Sequence, residues 1–164
     1  MDTYGIERLY DCLHWLEVAK GLNGMIATVA GFAALTAVLS YFCGCFNGAV
    51  IVSKYILRND VRTHGSGNAG LTNFYRTFGG PLTFVVILCD VLKAVVAIQL
   101  SVWLAGQLLM LEDAAAQQAT RALFVYWAGT FCLLGHMFPC MFGFKGGKGI
   151  LSGGTIAIMI DWRV

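Results

Sequence analysis

The chain has 164 residues, of which 58% are hydrophobic and only 12% charged, and its mean hydropathy of +0.71 excludes a soluble domain of this size. A net charge of +2, with the cations confined to short loops, excludes nucleic acid as a partner. The six cysteines form no CxxC pair and have no histidine at ligand spacing, so they read as small buried hydrophobes, and no metal, cofactor or disulfide is assigned.

The expected fold is all-α and polytopic, with about three full transmembrane spans and the start of a fourth. Residues 1–20 mix acids and bases with Ile6, Leu9, Tyr10, Leu13 and Leu16 at helical spacing. That pattern predicts an interfacial amphipathic helix rather than a cleaved leader, ahead of a transmembrane domain over 21–164. No charge occurs from Gly21 to Ser53, and Met25 to Phe46 alone is long enough to cross ~30 Å of hydrocarbon at ~1.5 Å per residue. Gly44 and the Asn47-Gly48 pair weaken that helix, so 49–57 is expected to continue it in a bent or partly unwound form. Further spans are predicted from Pro81 to Leu111 and from Ala122 to Phe142. A fourth starts near Ile150, but the apolar stretch before Asp161 is well short of the ~20 residues a crossing helix needs.

Lys54, Arg58, Arg62 and Arg76 follow the first span, Lys145 and Lys148 follow the third, and Glu112 and Asp113 sit in the loop between the second and third. By the positive-inside rule, the two cationic loops face the cytoplasm and the N-terminus lies outside, in a multi-pass protein of the cell (inner) membrane. Both loops are rich in glycine: His64-Gly-Ser-Gly-Asn-Ala-Gly-Leu-Thr-Asn-Phe-Tyr-Arg76 and Phe144-Lys-Gly-Gly-Lys-Gly149. Glycines let backbone amides come close to a ligand, and neighbouring cations supply charge, a combination suited to phosphate.

Nucleotide motifs fail on context. Gly65 to Gly70 satisfies GxGxxG, with Asp90 twenty residues after Gly70, but a polar segment precedes it where a buried strand is required. In the second loop Gly149 stands where a P-loop needs Ser or Thr. The His-x4-Asp box of soluble acyltransferases is also absent, since Ala19, Ala69 and Met141 occupy the Asp position after the three histidines. What remains is a set of donors around an anion: the neutral Ser66, Asn68, Thr72 and Asn73, the planar fork of Arg76, and the point charges of Lys145 and Lys148. Asp90 and Lys93 lie one helical turn apart inside a span, as a structural pair or as support for a site, and His136 stands at a helix end before Phe138-Pro139.

Taken in order, Gly65-Ser-Gly-Asn-x-Gly-x-Thr-Asn73 with Arg76, Asp90-x-x-Lys93, Gly135-His-x-Phe-Pro139 and Phe144-Lys-Gly-Gly-Lys-Gly149 resemble the signature of the bacterial membrane glycerol-3-phosphate acyltransferases that use acyl phosphate. The resemblance covers residues from about 47 to about 149. It implies a helical protein of about seven spans that moves a fatty acyl group from acyl phosphate to the sn-1 hydroxyl of glycerol 3-phosphate, giving lysophosphatidate for phospholipid synthesis, with no metal and no acyl-enzyme. It assigns catalytic roles to Ser66, Arg76, Lys145 and Lys148 and substrate binding to Gly65, Gly67, Asn68, Thr72, Asn73, His136, Gly146 and Gly147. Asp90 and Lys93 support the site. The implied partners are acyl phosphate, glycerol 3-phosphate and membrane lipid. A third family motif, His-Arg-x-Asn, lies beyond Val164, so this polypeptide alone is expected to be incomplete as an enzyme. The rival reading is a transporter of an anion or phosphate ester, whose broken helices also present amides to a ligand.

Overall fold

The computed structural model describes the backbone of residues 3–108 and 114–161, with side chains described from residue 14 onward except at 16 and 108. Among these residues every regular element is a helix, and there are no strands. Helix α1 runs Thr3–Cys45, α2 Gly48–Ile51, α3 Leu71–Thr77, α4 Leu82–Leu108, α5 Ala114–Met137 and α6 Ile150–Ile160. A π-helical turn (Val52–Ile56) and a 3-10 turn (Val61–Thr63) lie between α2 and α3, and a second 3-10 turn (Cys140–Phe142) follows α5.

Three segments, Glu17–Cys45, Leu82–Gln107 and Ala114–Phe142, are long and apolar enough to cross a membrane. Large apolar side chains such as Met25, Ile26, Phe84, Trp103 and Leu123 remain exposed along them, as lipid-facing residues do. The chain is therefore a multi-pass membrane protein. At 11 residues, α6 is ~16 Å long and reaches about half-way through ~30 Å of hydrocarbon.

Two boundaries differ from the sequence expectation. α1 continues without a break through the predicted junction between an interfacial helix and a first span at residue 20. α5 begins at Ala114, eight residues before the predicted start at Ala122, because Ala114-Ala-Ala-Gln-Gln-Ala is strongly helix-forming although not apolar. Pro139 then ends α5, since it has no amide hydrogen to donate. The acidic residues Glu112 and Asp113, used above for sidedness, lie outside the described residues.

The break after α1 falls where it was expected. Asn47, fully buried, accepts a hydrogen bond from Val50 N (3.1 Å) through Oδ1 and caps α2. The spans pack through glycine: a Cβ at Gly44 would collide with the Cys132 carbonyl on α5, and one at Gly135 with the Tyr41 carbonyl on α1. Such small residues let helix backbones approach closely. Two apolar clusters hold the assembly. Ala49, Val52, Val61, Phe74 and Val86 lie beneath the first glycine loop, and Ala94, Ala97, Ile98, Cys132 and Ile156 join α4, α5 and α6.

Candidate active site

The first glycine loop is folded around Asn73. Its Oδ1 accepts from Ser66 N (3.1 Å), and its Nδ2 donates to the carbonyls of Val61, His64 and Asn68, each at 3.0 Å. Gly65 (φ 55°) and Gly67 (φ 69°) take left-handed conformations, and a Cβ at Gly65 would strike Asn73 Oδ1. Behind the loop, Asn47 Nδ2 donates to Ala69 O (3.0 Å), so the residue that breaks the first span also anchors the loop.

The lysine loop folds back onto the end of α5. Gly146 N donates to Met137 O and Gly147 N to His136 O, both at 3.1 Å. These glycine amides thus satisfy orphan carbonyls at a helix C-terminus and are not available to an anion. Ala69 N donates to Gly146 O (3.4 Å), joining the two loops directly. Arg62 joins them a second time, its Nη1 donating to the carbonyls of Phe142 (2.7 Å) and Lys145 (3.3 Å). Asp60 holds Arg62 in place through a 2.7 Å ion pair and accepts from its backbone N–H. The Arg62 hydrogen bonds keep the Asp60 carboxyl below its ordinary value of 3.8, and the same contact raises Arg62.

Between the joined loops, α4 and α6 lies a cavity of about 1000 Å³. Ser66, Asn68, Thr72, Asn73, Arg76, Asp90, His136 and Lys148 all line it, although they are spread over 83 positions of chain. Arg76 and Lys148 reach it with no side-chain partner among the described residues. The first turns of α3 and α6 also open on it, through Leu71 and Thr72 and through Ile150 and Leu151. Helix N-termini carry unpaired amides and a positive dipole end, so the polar half of the cavity is set up for an anion. Apolar side chains also line the cavity, among them Val91, Val95, Ile158 and Met159.

Not every predicted residue takes the predicted place. Lys145 is exposed and does not line the cavity, contributing its carbonyl to Arg62 instead. Gly65, Gly67, Gly146 and Gly147 shape the backbone without lining the cavity. Lys93 sits behind the wall, bonded to Asp90 Oδ1 (2.7 Å), His136 Nδ1 (2.6 Å) and Phe46 O (3.1 Å). Arg62 and Asn47 were not singled out as site residues. The acid-to-arginine spacing of Asp60 and Arg62, directly before the glycines, is the signal that marks Arg62, whereas Asn47 gives only a helix-break signal.

Residues 34–164 match the family model described as glycerol-3-phosphate acyltransferase. The chain belongs to this family. A glycerol-3-phosphate acyltransferase of Thermoanaerobacter pseudethanolicus is 36% identical over 130 residues, covering 79% of this chain and 58% of the relative. One from Ureaplasma urealyticum serovar 10 is 34% identical over 122 residues, covering 74% and 48%. The crystal structure of PlsY, an integral membrane glycerol 3-phosphate acyltransferase in its glycerol 3-phosphate form, superposes with a TM-score of 0.63 at 26% identity, covering 80% of this chain and 58% of that one. This glycerol-3-phosphate acyltransferase family chain spans about half the length of the curated relatives it matches.

Proposed function

We propose that this chain supplies the phosphate-binding part of an enzyme that transfers a fatty acyl group from acyl phosphate to the sn-1 hydroxyl of glycerol 3-phosphate, releasing phosphate and lysophosphatidate. The observation that carries the reading is one cavity lined both by the cations Arg76 and Lys148 with neutral donors and by apolar residues of α4 and α6. Both proposed substrates bear phosphate, and one bears an acyl chain. Ser66, Asn68 and Thr72 supply neutral donors, and Arg76 pairs two phosphate oxygens through its planar fork.

Acyl phosphate is a mixed anhydride with a good leaving group, so orientation and charge stabilisation account for much of the acceleration. The acceptor hydroxyl attacks the acyl carbon, the carbon–oxygen bond to phosphate breaks, and a phosphate oxygen or water takes the hydroxyl proton. The cationic loops face the cytoplasm, where glycerol 3-phosphate is dissolved, and the acyl chain stays in the plane of the inner membrane.

The test supplies acyl phosphate and glycerol 3-phosphate to membranes containing a full-length version of the protein, with acyl-CoA as control donor. Lysophosphatidate formed from acyl phosphate alone, and lost in Arg76→Ala, supports the reading. Labelled glycerol 3-phosphate accumulating unchanged inside vesicles would refute it and favour transport.

A further inference from the structure

Lys93 is 6% exposed, deep in α4, and lies within hydrogen-bonding distance of three groups on three different elements. They are Asp90 Oδ1 on its own helix (2.7 Å), the Phe46 carbonyl just after α1 (3.1 Å) and His136 Nδ1 near the end of α5 (2.6 Å). The Lys93 ammonium, ion-paired with Asp90, has three hydrogens and no acceptor. Three hydrogens therefore meet three acceptors. His136 Nδ1 must be one of these, so its lone pair faces Lys93 and the ring proton resides on Nε2. Asp90 does not compete for Nδ1, because its Oδ1 is 3.8 Å away.

Nε2 lies on the other side of the ring. It is packed against Gly147, where a Cβ would run into it, and has no hydrogen-bond partner among the described residues, while His136 lines the cavity. Asp90 also lines the cavity, and Lys93 offsets its negative charge there. We infer that Lys93 is a positioning residue: it locks His136 as the Nε2–H tautomer and thereby directs a fixed neutral donor at a phosphate group in the cavity. The identity of that phosphate rests on the proposed acyltransfer, whereas the tautomer does not.

Nitrogen-15 NMR of histidine-labelled protein in lipid tests both halves without turnover. In the unmodified protein His136 is expected to show a neutral ring with the proton on Nε2, and inorganic phosphate is expected to shift that resonance. An Nδ1–H ring, an imidazolium, or indifference to phosphate overturns the inference. The paired variant Asp90→Asn/Lys93→Met avoids leaving one buried charge alone. It is expected to convert His136 to a mixture of tautomers and to weaken phosphate binding by about tenfold, as loss of one oriented hydrogen bond to a charged group would. An unchanged tautomer in that variant also overturns it. Failure to form lysophosphatidate while these signatures persist would instead count against the proposed reaction.

Discussion

Arg62→Ala isolates the clamp between the two loops, because Arg62 does not line the cavity and acts only through what it holds. The substitution removes a 2.7 Å charged hydrogen bond to Phe142 O, a weaker one at 3.3 Å to Lys145 O, and the ion pair to Asp60. A hydrogen bond to a charged group is worth ~1.5–3 kcal/mol when both partners are desolvated. These groups lie at a membrane surface, with the two ion-pair side chains 18% and 21% exposed, so water replaces part of the loss. The pair itself contributes at most ~1 kcal/mol. Detachment of the lysine loop should therefore become easier by ~2 kcal/mol, about thirtyfold in its opening equilibrium. Hydrogen exchange at the amides of Gly146 and Gly147 should accelerate by that factor, and KM for glycerol 3-phosphate should rise as Lys148 loses its fixed position. Arg62→Lys, which keeps charge but not the fork, should fall between. Unchanged exchange in Arg62→Ala would refute the clamp, even if activity fell for another reason.

Four further outcomes follow from the same geometry. Lys148→Ala should reduce acyltransfer at least ~30-fold and Lys145→Ala by no more than ~3-fold, since only Lys148 reaches the cavity; equal losses would contradict that placement. Asn73→Asp should destabilise the protein by ~2–4 kcal/mol, because it replaces the amide donor to three carbonyls with negative charge, and a thermal shift in lipid checks it. Gly147→Ala should abolish phosphate binding by driving a methyl group into the His136 ring, whereas Gly31→Ala, with open space around it and away from the cavity, should not; binding of inorganic phosphate separates the two. Asp60 is depressed below 3.8, so its contribution is fully present above that value and is lost as pH falls through its folded-state pKa. The protection of the Gly146 amide, its exchange rate corrected for the intrinsic pH dependence, should therefore be constant near neutrality and fall in acid below about pH 4, and Asp60→Asn should remove this acid step.

The spans were readable because lipid imposes a simple rule: an unbroken apolar run must become a helix, and Asn47 and Pro139 interrupt it for local reasons. The N-terminal extension of α5 was not, because hydropathy is blind to Ala and Gln helices that leave the apolar zone. Within the site, charge type and spacing pointed to Arg76, Lys145 and Lys148 alike, since a cation without a carboxylate nearby must face solvent or ligand. Lys145 has the same local pattern as Lys148. Only the αL turn at Phe144 (φ 60°) and the hydrogen bonds that follow separate their directions, and these depend on α5, which is close in sequence, and on Arg62, which is far away.

The glycines illustrate why a phosphate loop is hard to read from spacing alone. Gly146 and Gly147 have the composition of an anion-binding turn, yet their amides close the C-terminus of α5, a region of partial negative charge. Their lack of a side chain serves contact between protein groups: Gly147 against His136 and Ala69, Gly146 against the end of α5 and Pro139. This packing brings the two loops together as one body at the mouth of the cavity, with Arg76 and Lys148 carried on it. The proposed reaction uses no covalent nucleophile, and for such a reaction a preorganised frame counts, because less of the binding energy goes into ordering the site. On the proposed reading the glycines serve phosphate binding through that rigidity, one step removed from the ligand.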